Sequence, residues 1–77
     1  MNLDERHFLR QIGNRIREQR QALGWTQEEL GERCELHRTF IGSVERGERN
    51  VSILNLRLIA TTLWVSVEDL LGPALDS

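Results

Sequence analysis

Apolar residues recur at helical spacing along the whole chain, and no stretch alternates apolar and polar residues for long enough to form a strand. Leu9, Ile12, Ile16 and Leu23 fall on one helical face. They predict a first helix over residues 4–23, with Gly24 as the residue that ends it. The hydrophobic pattern therefore predicts an all-α protein.

Capping residues mark the later helices. The run TQEE, residues 26–29, is a capping box between Trp25 and Leu30, which occupy the positions of a hydrophobic staple. It predicts a second helix over residues 27–33. Further caps and stops, including a final Gly72-Pro73, predict helices over residues 38–45, 53–63 and 67–71. Five short helices with tight connections predict one compact domain over residues 1–77.

The second and third predicted helices have the residue pattern of a helix-turn-helix. Two helices that cross at about 90–120° need a small residue near the crossing, a place that Gly31 can fill. The inside of the elbow needs apolar residues, and the chain offers Leu30, Cys34, Leu36, Ile41 and Val44. The third helix would then project outward the side chains of Arg38, Thr39, Gly42 and Ser43.

This predicted outer face suits the major groove of DNA. Arg38 can form a bidentate bond to guanine, and Thr39 and Ser43 offer hydroxyl groups, so we predict these three as base contacts. Glycine at position 42 would let the helix lie close to the duplex. Gln27, at the N-terminus of the second helix, is placed for a phosphate. The glutamates of that helix are expected to face solvent, away from the DNA.

The distribution of charge supports this interpretation better than the total charge does. The formal net charge is −2 and the pI about 5.6, which alone argues against a nucleic-acid partner. However, residues 1–24 and 36–50 each carry a net positive charge, and all ten basic residues are arginine. Arginine is the better ligand for phosphates and guanine edges. After the third helix, we predict phosphate contacts from Arg46, Arg49 and Asn50.

Other functional classes have little support in the sequence. The single cysteine, Cys34, excludes an internal disulfide, and the spacing Cys34-x-x-His37 lacks the further ligands that zinc needs. No nucleophile–histidine–acid set or phosphate-binding glycine loop is present, so we expect no enzyme, cofactor or metal site. The acidic start and the lack of a long apolar run predict a cytoplasmic protein without signal peptide or membrane span.

The chain resembles the phage-repressor/Cro-type (XRE) helix-turn-helix family from about residue 12 to residue 71. The matching runs are IGNRIREQRQALGWTQEELGERC, FIGSVERGERN and VSVEDLL, and HRTFIGSVERGERNVS is most similar to controller proteins of restriction–modification systems. The resemblance implies a compact five-helix lambda-repressor-like domain and a dimeric regulator of such an operon. It also implies a buried ion pair between Arg20 and Glu45, and DNA contacts from Gln27, Arg38, Thr39, Ser43 and Arg46.

Three positions depart from the family pattern. Glu35 stands where the turn usually has glycine. Either a non-glycine residue is held there in a left-handed conformation, at a cost of about 1 kcal/mol, or the turn has another shape. His37 replaces the usual serine or aspartate that opens the recognition helix. Phe40 replaces a tyrosine found in many controllers, so any hydroxyl contact at that position is expected to be lost.

The fourth helix carries more apolar residues than one face can bury. Ile53, Leu56, Ala60 and Leu63 form one stripe, and a second stripe indicates a second partner surface, although part of the excess could cover the domain's own core. Arg57 is assigned to the surface or the interface. Within residues 53–71 we predict a two-fold homodimer interface formed by Leu54, Leu58, Trp64, Val65 and Val67. Such a dimer would bind an inverted repeat in double-stranded DNA.

Two other functions remain open. An antitoxin- or phage-type repressor would have the same fold, and neighbouring genes would separate it from a controller. A protein-binding adaptor could use Trp64 and the fourth helix, and would leave no footprint on DNA. RNA polymerase is a further candidate partner.

Overall fold

A computed structural model describes residues 2–72, which contain five α-helices and no strand. The helices are α1 (Leu3–Ala22), α2 (Gln27–Cys34), α3 (Arg38–Glu45), α4 (Ile53–Thr62) and α5 (Val67–Leu71). The predicted all-α class is confirmed, and the observed helix ends differ from the predicted ones by no more than one residue. Pro73, the predicted stop after α5, lies outside the described residues.

Side-chain caps fix the starts of the helices. Thr26 Oγ1 accepts a hydrogen bond from the Glu29 amide at 3.0 Å, and the Glu29 carboxylate accepts one from the Thr26 amide at 2.8 Å, as predicted. Asn2 and Glu5 form the same reciprocal pair at the start of α1, which the sequence analysis missed. A third such pair starts α5. Each pair satisfies two backbone amides that have no partner inside their helix.

The turn between α2 and α3 accommodates two unusual residues. Glu35 adopts a left-handed conformation with φ of 59°, at a cost of about 1 kcal/mol for a residue other than glycine. The Leu36 amide closes the turn by donating to the Gly31 carbonyl at 2.8 Å. His37 caps α3, because its Nδ1 accepts a hydrogen bond from the Thr39 amide at 3.0 Å. The imidazole thus acts as the N-cap, a role that a shorter serine or aspartate side chain usually has at the start of this helix.

Each helix contributes one fully buried side chain to a single core. These side chains are Ile16, Leu30, Ile41, Ile59 and Leu70. Cys34 and Val44 extend the cluster and Leu36 packs at its edge, so the predicted elbow residues of the helix-turn-helix face the core. Because all five helices share this cluster, the position of α3 depends on every one of them.

Two glycines allow the close approaches that place α3. A Cβ at Gly31 would collide with the Leu36 carbonyl, in agreement with the predicted place of this glycine at the crossing of α2 and α3. A Cβ at Gly13 would collide with the carbonyl oxygens of Val44 and Glu45. The backbone of α1 therefore presses directly on the last turn of α3, and a larger residue at position 13 would force the two helices apart.

Helix α4 packs on the core through one face only. Leu56, Ile59 and Ala60 are buried, as is Leu63 directly after the helix. Ile53 was grouped with these residues in one apolar stripe, but its side chain is 64% exposed. Ile53 is the first residue of α4 and extends past the edge of the core, a limit that helical spacing alone does not show.

Cys34 makes the free energy of unfolding depend on pH in the alkaline range. Burial raises the pKa of its thiol, and a hydrogen bond with the Thr62 side chain opposes this shift only in part. The unfolded chain therefore loses the thiol proton at lower pH than the folded chain does. The contribution of the protonated Cys34 thiol to the free energy of unfolding is fully present below about pH 8.5, the usual thiol pKa. Above that pH, we expect the free energy of unfolding to fall by up to about 1.4 kcal/mol per pH unit.

Urea denaturation at pH 8 and pH 10.5 measures this effect. The sequence contains no lysine and no tyrosine, so no other side chain titrates in that window. Cys34→Ala is the control: it should be less stable at both values of pH, but with much less difference between them. If Cys34→Ala lost as much stability between pH 8 and pH 10.5 as the parent does, the assignment to Cys34 would be contradicted.

Candidate nucleic-acid interface

A buried ion pair ties α1 to the last turn of α3. Arg20 Nε and Nη2 donate to the two carboxylate oxygens of Glu45 at 2.7 and 3.0 Å, and Arg20 Nη1 donates to the Trp25 carbonyl at 2.7 Å. The two residues are 8% and 3% exposed. Bidentate geometry and the additional hydrogen bond offset the desolvation of both charges. These are the two positions that the family resemblance assigned to a buried pair.

Gln27 is held over α3 by the same carboxylate. Its Nε2 donates to Glu45 Oε1 at 3.0 Å. A Cβ at Gly42 would lie 3.2 Å from Gln27 Oε1 and 3.1 Å from Arg46 Nη1. Gly42 is buried beneath these two side chains, so the expectation that it faces outward toward DNA was wrong. Side chains from the start of α2 and the end of α3 cover it, which the sequence of α3 alone does not reveal.

Arg38 and Thr39 are exposed on the first turn of α3. The Arg38 guanidinium lies 3.8 Å from the Glu28 carboxylate, and both side chains are more than half exposed. Glu28 was expected to point away from the reading surface, but it lies beside Arg38 because the first turns of α2 and α3 are neighbours. An exposed pair at this distance contributes little energy, so Arg38 can exchange Glu28 for another partner.

Ser43 differs from Arg38 and Thr39 because its hydroxyl group is already bonded on both sides. Ser43 Oγ donates to the Phe40 carbonyl at 2.8 Å and accepts from Arg49 Nε at 3.1 Å. The Arg49 guanidinium also lies over the Phe40 ring, 5.2 Å from its centre. A base contact in which the Ser43 hydroxyl donates would therefore require its bond to the Phe40 carbonyl to be exchanged. Arg49 keeps the Nη donors of its guanidinium for a phosphate without losing the bond to Ser43.

The other predicted phosphate contacts, Arg46 and Asn50, lie apart from each other. Arg46 is the C-terminal cap of α3, and its Nε lies 3.0 Å from the Glu48 carboxylate. It meets Gln27 above Gly42. Asn50 is exposed but lies apart from them, in a small pocket of about 220 Å³ beside the first turns of α1.

A second surface, formed by α4 and the residues after it, exposes large apolar side chains beside Arg57 and Thr61. Leu54, Leu58 and Trp64 are 67%, 39% and 79% exposed. Ile53 is exposed as well, and we call these four residues the α4 patch. Val65 and Val67 border it, half-buried against the core. Exposed apolar side chains grouped in this way are typical of a surface that contacts another molecule.

Trp64 occupies a strained position in the α4 patch. It follows the C-cap of α4 and adopts a left-handed conformation with φ of 63°, which is rare for a bulky residue. Its ring meets Trp25 edge-on at a centroid distance of 6.4 Å. The Arg33 guanidinium also packs on Trp25, 4.1 Å from the ring centre. The contact with Trp25 orients the Trp64 ring while leaving most of it in solvent.

Residues 2–72 show neither a metal site nor a membrane-spanning helix. No group of three or more His, Cys, Asp or Glu side chains there is arranged to hold a metal ion. Cys34 is buried, and His37 uses its Nδ1 in the cap of α3. None of the helices in this part of the chain is sufficiently long and apolar to cross a membrane.

Comparison with known proteins identifies the class to which this fold and surface belong. Residues 16–70 match the model of the helix-turn-helix family HTH_3, and the chain belongs to that family. It is 43% identical over 61 residues to the control protein C.BamHI of Bacillus amyloliquefaciens, a match that covers 78% of this chain and 75% of that protein. It is 45% identical over 60 residues to the control protein C.SmaI of Serratia marcescens, covering 78% and 71%.

A solved structure of a controller protein has a similar fold. The fold is similar to the restriction–modification controller protein C.AhdI from Aeromonas hydrophila, with a TM-score of 0.82 and 42% sequence identity. The match covers 87% of this chain and 97% of that one. The chain is thus a helix-turn-helix regulator and a homologue of restriction–modification controller proteins.

Proposed function

We propose that this protein is a homodimeric transcriptional regulator that binds an inverted-repeat operator and controls a restriction–modification operon. The observation that carries this proposal is the similarity to three control proteins at 42–45% identity over most of the chain. An antitoxin- or phage-type repressor of the same fold is the alternative. Selecting bound sequences from a random DNA pool tests DNA binding, and the operon next to the selected site in the source genome separates the two regulators.

In this proposal the first turn of α3 enters the major groove. Arg38 and Thr39 are the exposed side chains that would reach base edges. Ser43 would accept a hydrogen bond through its remaining lone pair, or donate one once its bond to the Phe40 carbonyl is exchanged. Gln27, Arg46, Arg49 and Asn50 would contact phosphates around α3. The Arg20–Glu45 pair would act indirectly, since Glu45 orients Gln27.

Arg38→Ala is expected to weaken operator binding by about 1–3 kcal/mol and to relax the preference at one base position. The reason is the loss of the only exposed guanidinium on the first turn of α3. Fluorescence anisotropy with the selected operator, and with single-base variants of it, measures both effects. Glu28→Gln is the control, and it should bind at least as tightly as the parent because it removes the carboxylate beside Arg38. Unchanged operator affinity in Arg38→Ala would refute the assignment.

The α4 patch is proposed as the dimer interface, with Leu54, Leu58 and Trp64 at its centre and Val65 and Val67 at its edge. Exposed apolar area of this kind is stabilised by burial at about 25 cal/mol per Å². A two-fold contact through α4 would also hold two α3 helices for binding to successive half-sites of an inverted repeat.

Leu54→Asp is expected to convert the dimer to monomers at micromolar concentration and to weaken operator binding at least tenfold. A charge on a patch that must be desolvated opposes association, whereas the exposed position of Leu54 should leave the monomer folded. Sedimentation equilibrium measures the first effect and anisotropy the second. Leu3→Asp, the same change on an exposed leucine outside the patch, should remain dimeric. A parent protein that binds one half-site as tightly as the full repeat would also contradict the dimer.

A further inference from the structure

A basic groove runs along α1 beside the last turn of α3. It consists of two adjoining clefts of about 390 Å³ and 420 Å³ that share Arg10, Arg46 and Glu48. We call it the α1 groove. Four guanidinium groups line it, from Arg6, Arg10, Arg17 and Arg46. Of these four, only Arg46 was predicted from the sequence to contact DNA.

The sequence of α1 builds this groove directly. Arg6, Arg10 and Arg17 are four and seven residues apart, so they follow one face of the helix. That face also carries Gly13, where α1 touches the backbone of α3. A Cβ at Gly47 would likewise lie 2.7 Å from the Cα of Arg10. The backbone of α1 therefore nearly touches the backbone at the end of α3 and at Gly47. The long arginine side chains must extend along the sides of this contact.

The groove keeps its positive charge although the chain as a whole carries −2. Its two carboxylates are both occupied, Glu45 by Arg20 and Glu48 by Arg46. Arg6, Arg10 and Arg17 are exposed, and none of them forms an ion pair with another residue in the range 2–72. Unpaired guanidinium groups along a concave surface attract a chain of anions, and arginine matches phosphate geometry in particular.

We propose that the α1 groove binds the sugar–phosphate backbone of DNA next to the segment read by α3, through Arg10 and Arg17 with Arg6 extending the contact. This inference rests on the proposed function. Gln27 lines the same cleft as Arg10 and Arg17, so a strand that reaches Gln27 continues along α1. The eleven residue steps from Arg6 to Arg17 span about 16 Å of helix, long enough to follow one strand past more than one phosphate.

Contacts of this kind contribute affinity but carry no base information. The double variant Arg10→Gln/Arg17→Gln is therefore tested on the selected operator and on a scrambled duplex, over a range of salt concentrations. We expect the slope of log affinity against log salt to fall by about 1.8 on both duplexes, at 0.9 for each lost phosphate contact. Between 50 and 200 mM salt, the parent should lose about 12-fold more affinity than the variant does.

Arg33→Gln is the control, because it makes the same Arg→Gln change, one positive charge at a time, in a guanidinium that packs on Trp25 outside the groove. Its salt slope should equal that of the parent, and thermal unfolding should show all variants folded. An unchanged slope in the double variant would overturn the inference, as would an equal change in the control or a change confined to the operator. A parent protein that binds neither duplex would instead overturn the proposed function itself.

Discussion

Glu45→Ala is expected to destabilise the protein by about 3–5 kcal/mol, because it leaves the Arg20 guanidinium buried without a counter-charge. A domain of this kind has only about 5–15 kcal/mol of stability in total, so a large fraction is lost. The same change frees the Gln27 side chain, whose amide is held by the Glu45 carboxylate. Chemical denaturation measures the first effect. Operator binding at a temperature where the variant stays folded measures the second.

Two comparisons make this expectation specific. Glu28→Ala breaks the exposed pair with Arg38 and should change the free energy of unfolding by less than about 1 kcal/mol. The double variant Arg20→Met/Glu45→Leu replaces both charges by apolar groups of similar size and should recover most of the lost stability. A Glu45→Ala protein as stable as Glu28→Ala would show that the buried pair contributes no more than an exposed one.

Gly13→Ala should destabilise the fold by about 3 kcal/mol, the upper end of the range for overpacked sites. The added methyl group would collide with the backbone carbonyls of Val44 and Glu45, and its carbon would lie 2.7 Å from the Glu45 carbonyl carbon. Backbone atoms cannot rotate away as a side chain can. Helix α1 would therefore have to separate from α3, next to the Arg20–Glu45 pair. Urea denaturation of the parent and the variant measures the loss.

Gly42→Ala provides the contrast, with opposite effects on stability and binding. The neighbours of its added methyl group are the flexible ends of Gln27 and Arg46, and alanine is favoured over glycine in a helix by about 1 kcal/mol. We expect unchanged or slightly higher stability together with weaker operator binding, since both displaced side chains are proposed phosphate contacts. Equal destabilisation by the two substitutions would contradict this account of the glycines.

The helices could be predicted because their signals are local. Thr26 and Glu29 carry a complete capping box in four residues, and a glycine follows the last turns of α1 and α3. At Glu35 the family pattern indicated either a left-handed residue or a turn of another shape, and the structure has the left-handed residue. Such features depend on residues close together in the sequence, where spacing determines geometry.

The errors concern contacts between distant parts of the chain. Gly42 was assigned to the outer face because its own helix places it there, but Gln27 and Arg46 cover it. Glu28 was expected to avoid the reading surface, since the spacing within α2 does not show that its first turn lies beside α3. Ile53 has the correct helical phase for the core but lies beyond its edge. Which residues bind DNA or a second subunit stays a prediction, because surface exposure alone does not identify a partner.

Arg38 and Thr39 project into solvent from a helix that other residues hold in place. Under the proposed function, lineages that share this scaffold can therefore diverge in their preferred promoters by exchanging two side chains, with little penalty to the fold. Two such paralogues in one cell could have the same fold and still bind different operators, so that neither regulates the genes of the other. Ser43 is less easily replaced, because its hydroxyl also accepts a hydrogen bond from Arg49 in the loop between α3 and α4.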